Sequence, residues 1–231
     1  MKRLAVIPAR GGSKRIPRKN LRAFAGRPII AHSIQAARDS GLFDLVLVST
    51  DDDEIAAVAR AHGADVPFLR PKDLADDHTG TQAVVKQAIE AVAAWRSMPE
   101  QACCIYATAP FVRPADLAAG LAALESSGAE FAFSVTSFAF PIQRALRLDA
   151  DGHIGMMWPE HMATRSQDLE HAWHDAGQFY WGRAEAFLAG VPLYSKAAVG
   201  VPLPRHRVQD IDTEEDWRRA ELMFQVLRAE G

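Results

Sequence analysis

Leu4-Ala-Val-Ile-Pro-Ala-Arg-Gly-Gly-Ser-Lys-Arg-Ile-Pro-Arg-Lys-Asn20 begins as a short apolar run and passes straight into a loop rich in glycine and basic residues. Leu4 to Ile7 is continuously apolar and partly β-branched, the pattern of a strand covered on both faces of a parallel sheet. Pro8 ends it. Ala9 leads into the loop, where Gly11 and Gly12 free the backbone to turn its N–H groups toward one point. Arg10, Ser13, Lys14, Arg18 and Lys19 add side-chain donors and positive charge. Such a loop after a first buried strand suits a polyphosphate. Its spacing is neither Gly-x-x-x-x-Gly-Lys-Ser/Thr nor Gly-x-Gly-x-x-Gly, which weakens the ATPase and dinucleotide-dehydrogenase readings.

The plain alternative is a solvated basic loop, and the distribution of charge argues against it. Residues 1–38 hold ten Lys/Arg and no Asp or Glu, whereas residues 39–231 hold sixteen Lys/Arg against twenty-nine Asp/Glu. The positive charge is local to the loop and its surroundings.

With 231 residues, 48% hydrophobic and 24% charged, the chain has the makings of one α/β domain over 1–231 with a small appendage. A net charge of −3 gives no general pull toward nucleic acid. Cys103 and Cys104 are adjacent in an apolar run, which suggests neither a disulfide framework nor a metal site and suits a reducing cytoplasm. Pro8 and the charges after it interrupt any signal-peptide core, and no stretch approaches the length of a membrane span, so no membrane partner is expected.

Beyond the loop, strand and helix signals alternate. Pro28 stands at an expected first helical position before Ile29, Ile30, Ile34 and Ala37, and Ser40-Gly41 stops that helix. Leu45 to Ser49 reads as a second strand and Val66 to Leu69 as a third. Between them, Asp51, Asp52 and Asp53 suit a magnesium site or, more simply, the cap of the helix carrying Ile55, Val58 and Ala59. A helix from Thr81 places Val84, Val85, Ala88, Ile89 and Val92 on one stripe, Ala102 to Tyr106 is a fourth strand, and Phe131 to Val135 a fifth. The alternation implies a doubly wound, mostly parallel α/β sheet, whose ligands lie at the carboxyl ends of the strands. Arg10 to Asn20, Arg70 and Thr108 all fall on that edge.

From Ser137 the pattern changes. Ile142 to Leu148 and His153 to Met157 flank Asp149-Ala-Asp151-Gly152 as a hairpin, and a polar, aromatic-rich stretch runs to Trp181, so 137–181 reads as an inserted lobe. Near the end, Thr213 with Asp216 three places on is a helix N-cap signature. Just before it, Asp210 and Asp212 stand two apart, which puts both carboxylates on one side of an extended segment. Such a pair opposite a polyphosphate loop suits Mg2+, although a strand end leading into a capped helix explains the residues as well. His171 and His174 lie three apart without a convincing third zinc ligand.

Ile7 to Lys14 followed by Pro17-Arg-Lys-Asn20 resembles the N-terminal signature of the sugar-activating cytidylyltransferases that make CMP-linked acidic sugars. The resemblance runs nearly end to end. It implies a nucleotide-diphospho-sugar transferase-like fold, a 137–181 lobe that dimerises and covers the sugar, and a homodimer. It also implies CTP as substrate and Mg2+ on Asp210 and Asp212, with Asp212 the direct ligand. Ala9 to Ser13, Lys19, Asn20, Arg70, Asp77 and Thr81 would hold the nucleotide, and Arg10, Lys14 and Lys19 the leaving pyrophosphate. Thr108, Arg165, Gln167, Asp175, Gln178 and Tyr180 are candidates for the sugar acid, Arg165 because a carboxylate invites a bidentate partner.

Tyr106-Ala-Thr-Ala-Pro110 stands where sialic acid enzymes resemble one another in a Gln-Pro-Thr-Ser-Pro segment, and Asp175-Ala-Gly177 stands for an Asn-Gly element. Both departures resemble the branch of the family that uses pseudaminic acid, with N-acylneuraminate and legionaminate as the alternatives. Two readings from other classes remain. A glycosyltransferase would carry its Asp-x-Asp mid-chain, and a non-catalytic CTP-binding regulator would have no need of the late carboxylate pair.

Overall fold

Leu4, Ala5, Val6 and Ile7 have no exposed surface, so the first strand must be covered on both faces. The computed structural model, which describes residues 1–76 and 79–229, shows how. In chain order the elements are β1 (Arg3–Pro8), β2 (Ala23–Phe24), β3 (Arg27–Pro28), α1 (Ile29–Asp39), β4 (Leu45–Ser49), α2 (Asp53–Ala61), α3 (Thr81–Trp95) and β5 (Gln101–Ile105). There follow α4 (Pro114–Ser127), β6 (Phe131–Ser137), β7 (Leu146–Leu148), β8 (Ile154–Met156), β9 (Trp173–Arg183), α5 (Ala184–Ala189), β10 (Ala198–Pro202) and α6 (Glu214–Ala229).

Six strands form the central sheet in the order β10-β6-β9-β5-β1-β4. β4, β1 and β5 run parallel, β6 and β10 run parallel to each other, and β9 lies between the two groups antiparallel to both its neighbours. Alternate residues of β1 face opposite cores. Ala5 and Ile7 pack with Ile34, Ile55, Leu121 and Trp181 on the side of α1, α2 and α4, and Leu4 and Val6 with Val85, Ile89 and Phe187 on the side of α3 and α5. Trp181 is locked there by stacking on Phe43 and by an indole N–H donated to Leu117 O at 2.9 Å. The fold is therefore a doubly wound, mostly parallel sheet. Among the described residues no helix is long and apolar enough to cross a membrane.

Three local expectations change. Val66 to Leu69 forms no strand: Asp65 alone bridges to Leu47, and Pro67, with no N–H to give, cannot continue a ladder. Pro28 precedes α1 as its cap residue and belongs to β3. Of the 137–181 stretch, the hairpin β7-β8 projects from the sheet, shorter than expected because Ile142–Arg144 forms a 3-10 turn. Residues 173–181, read as the end of that lobe, lie inside β9, because their aromatic side chains fill both faces of the sheet.

A third apolar cluster sits outside the sheet and matters most for the site. Ile16 of the basic loop, Phe24, Ile29, Phe111, Ile211, Trp217 and Ala220 pack together, and Phe24 meets Trp217 edge-on at 5.6 Å. The loop and the segment carrying the late carboxylates are thus anchored in the same core, although some 190 residues separate them.

Candidate active site

Burial of Ile211 sets the geometry of its neighbours. With Ile211 turned inward, Asp210 and Asp212 turn outward into a cleft of about 430 Å3 at the carboxyl ends of β1 and β5. Arg10, Ser13, Lys14, Arg15 and Lys19 line the same cleft. Lys19 Nζ donates to Ile211 O at 2.6 Å and lies 3.5 Å from Asp212 Oδ1, and Arg15 Nη2 stands 2.9 Å from the same oxygen. Thr213 and Asp216 cap the helix just beyond, Thr213 Oγ1 donating to Asp216 Oδ2 at 2.7 Å and accepting from Asp216 N at 3.2 Å.

Burial in the first place, then the charge of Asp212, raises the pKa of Asp210 above the ordinary carboxylate value. A cation at this pair would relieve both effects. Two carboxylates beside open space for phosphate oxygens and water make a donor set that fits a hard divalent ion.

The loop is held by hydrogen bonds that point away from the cleft as well as into it. Asn20 is buried and gives its amide Nδ2 to Arg10 O at 3.0 Å, which fixes the start of the loop from its end. The Gly11 N–H, expected to face the ligand, is instead donated to Asp51 Oδ1 at 2.9 Å. Glycine leaves room there, because a Cβ on Gly11 would come within 2.7 Å of Asp52 Oδ2 and that carboxylate would have to shift. Arg18, counted above among the cleft donors, does not line the cleft. Its guanidinium is bound to Asp52 and Glu54 at the start of α2. Asp52 Oδ1 also accepts from the N–H groups of Glu54 and Ile55, so the acidic run of residues 51–53 caps its helix.

At the other end of the cleft Arg70 is only 5% exposed, with Nε on Ser49 Oγ at 3.0 Å and Nη2 on Ser49 O at 2.5 Å. Thr81 begins α3 and its Oγ1 lies 3.2 Å from Tyr106 OH. Asp77 lies outside the described residues. Thr81 and Tyr106 also bound a second, mostly apolar chamber of about 360 Å3 that includes Tyr180, Leu193 and Tyr194. Asp175 accepts from Tyr180 OH and Tyr194 OH, both at 2.6 Å on Oδ2, and from the Gly177 N–H at 2.8 Å, where the chain turns through a positive φ that favours glycine. Burial in the first place pushes the Tyr180 hydroxyl well above its ordinary pKa, and desolvation of the hydroxyl end together with Asp175 raises that of Tyr194, although the residue is 72% exposed, so both serve as donors.

The cleft thus gathers Arg10, Ser13, Lys14, Lys19, Asn20, Arg70, Thr81, Thr108, Asp210 and Asp212, whereas Ala9, Gly11 and Gly12, expected at the nucleotide, do not line it. It does not gather every sugar candidate. Arg165 is on the lobe, where Nε and Nη2 grip Asp168 at 2.7 and 3.2 Å, and exposed Gln167 lies beside it. Gln178 is 3% exposed and donates Nε2 to Arg207 O at 2.6 Å, a strut beneath the strap that leads to Asp210. Arg15, Tyr106 and Tyr194 were missed. Arg15 belongs to the same basic run and could have been included on that ground, whereas nothing local marks Tyr194.

Comparison with known proteins bears on this geometry. The family model described as cytidylyltransferase matches residues 4–194. The pseudaminic acid cytidylyltransferase of Campylobacter jejuni is 43% identical over 98% of this chain and 97% of its own length. The CMP-N,N'-diacetyllegionaminic acid synthase of Legionella pneumophila is 32% identical over the same shares. Among solved structures, a CMP:2-keto-3-deoxy-manno-octonic acid synthetase complexed with CTP superposes with a TM-score of 0.70 at 17% identity, over 97% of this chain and 99% of that one, a likeness of fold.

Proposed function

The chain belongs to the cytidylyltransferase family, and we propose that it is the nucleotidyltransferase that joins CTP to pseudaminic acid, giving the CMP-sugar and pyrophosphate. One observation carries the reading: four cationic side chains of a single loop and a pair of carboxylates line one cleft of nucleotide size, with Arg15 and Lys19 drawn against Asp212. The sugar's anomeric hydroxyl attacks the α-phosphorus in line, and the bond to the β-phosphate oxygen breaks. Arg10, Lys14, Arg15 and Lys19 hold the triphosphate and take up the negative charge that grows on the departing pyrophosphate. Arg70 and Thr81 border the end of the cleft left to the nucleoside. Tyr106, Tyr180 and Tyr194 line the chamber into which the sugar extends, where Asp175 keeps two of their hydroxyls in place.

Asp210 and Asp212 are the residues that would hold Mg2+, which when bound neutralises phosphate oxygens and orients them. The choice of pseudaminic acid over legionaminate rests on the relatives, 43% identity against 32% over the same share of the chain. A homodimer is part of the proposal, supported by the exposure of Phe140, Leu148, Ile154 and Met162 on and around the β7-β8 hairpin. So is a cytoplasmic location, supported by two buried free thiols and by CTP as substrate.

The test is pyrophosphate release from CTP and Mg2+ with pseudaminic, legionaminic, N-acetylneuraminic and 3-deoxy-manno-octulosonic acids, Asp212→Ala serving as control. Release with pseudaminic acid, lost in the variant, is expected. CTP binding without release from any acid would overturn the reading and favour a regulator.

A further inference from the structure

Arg18 is one of two non-glycine residues, among those described, with a positive φ, here +55°. L-residues other than Asn and Asp adopt that conformation uncommonly and at a steric cost. The compensation is visible. Arg18 Nη1 meets Asp52 Oδ2 at 2.5 Å and Nη2 meets Oδ1 at 3.3 Å, while Nη2 also contacts Glu54. A residue in this backbone state, with its side chain turned from the cleft, is the pivot about which the loop reverses, and the N–H groups of Leu21 and Arg22 both return to its carbonyl.

Asp52 reaches the opposite end of the loop too. Its carboxylate fills the space beside Gly11 where a Cβ would stand, and its neighbour Asp51 accepts the Gly11 N–H. One end of the loop, Arg18, is therefore gripped by the Asp52 carboxylate, which the first turn of α2 pins, and the other, Gly11, packs against that carboxylate while its N–H is held by Asp51. Arg10, Ser13, Lys14 and Arg15 project into the cleft from the neighbourhood of these tethers.

We propose that Asp52 and Arg18 are positioning residues for the reaction: their ion pair closes the loop so that its cations converge on the triphosphate, while neither residue touches substrate. This rests on the functional reading above. Two substitutions isolate the pair. Asp52→Asn keeps the oxygen that caps α2 and removes the charge. Arg18→Gly keeps the positive φ without strain and removes the grip.

Hydrogen exchange of the Ala9–Arg22 backbone, read without ligand, should quicken at least about tenfold in either variant, while that of the central strands changes far less. KM for CTP should rise at least about tenfold, with a smaller change in kcat. The double variant should be no worse than Arg18→Gly alone, since that substitution already removes the pair that Asp52→Asn weakens. Unchanged loop exchange, or quickened exchange with KM unaltered, would overturn the proposal, as would a double variant whose losses multiply. Because exchange is read without nucleotide, a wild-type protein that ignores CTP counts against the functional reading, and the tether is judged on exchange alone.

Discussion

Arg207 grips Asp116 across 91 residues of chain through two parallel hydrogen bonds, Nη1 to Oδ2 at 2.6 Å and Nη2 to Oδ1 at 3.0 Å. The side chains are 11% and 12% exposed, so the pair is held largely away from water. It fastens the strap leading to Asp210 onto the first turn of α4, where Asp116 also favours the helix dipole. Losing one partner of such a pair strands the other charge. Arg207→Ala should lower the unfolding free energy by about 3 kcal/mol in urea titration. A loss below about 1 kcal/mol would mean that water reaches the pair as it does at an exposed one.

Asp212 faces the loop cations yet sits 38% exposed, so its removal should disturb chemistry more than folding. Asp212→Ala should reduce kcat on the order of 10²-fold or more, by analogy with the loss of one charge-stabilising group. CTP binding by calorimetry should persist. Chelation with EDTA should abolish turnover of the wild type, and Mg2+ should restore it. Full activity in EDTA would remove the carboxylate pair from the proposed metal site.

Gly120 in α4 lies against the central sheet, where a Cβ would approach Phe179 Cε2 to 2.6 Å and Trp181 Cδ1 to 2.7 Å. Both rings are fully buried and cannot withdraw. Gly120→Ala should therefore destabilise the protein by about 1–3 kcal/mol through overpacking, despite the better helix propensity of alanine. A raised melting temperature would show that the helix can move outward.

The carboxyl of Asp52 titrates below its ordinary value, chiefly because Arg18 hydrogen-bonds to it and with help from the Ile55 and Glu54 N–H groups, against the opposing effect of burial. The folded chain therefore holds this proton less tightly than the unfolded chain. Its contribution to stability is complete above the unfolded value of about 4 and is lost as pH falls through the lowered folded value. Stability measured against pH should fall less steeply on this acid limb in Asp52→Asn than in the wild type. Parallel limbs would mean that Arg18 does not perturb Asp52 in solution.

Much of this was legible where the signal is local. β1, the basic loop, the α3 stripe and the cap at Thr213 rest on periodicity and on residues a few places apart, and they lie where the sequence predicts. Val66 to Leu69 misleads because its apolar content outweighs one proline in a pattern reading, whereas in a ladder the missing N–H decides. β9 hides for another reason: His174, Asp175 and Gln178 interrupt its apolar run, so 173–181 reads as part of a polar, aromatic-rich lobe. Arg165, Gln167 and Gln178 were assigned to the sugar by residue type. Whether Arg165 meets Asp168 and Gln178 meets Arg207, or either meets a ligand, depends on tertiary placement that composition does not encode. The convergence of Ile16 and Ile211 on one core is equally invisible locally, although it brings the basic loop to the carboxylates.

The late position of β9 has a consequence for synthesis. β4, β1 and β5 come from roughly the first hundred residues and can pair as they emerge from the ribosome, but β5 and β6 then each keep an open edge until residues 173–183 arrive to fill the gap between them. Exposed strand edges invite pairing with other chains. A nascent or truncated chain ending before β9 would thus be a sheet split down its middle, with two open edges ready to pair with neighbouring chains on the same message.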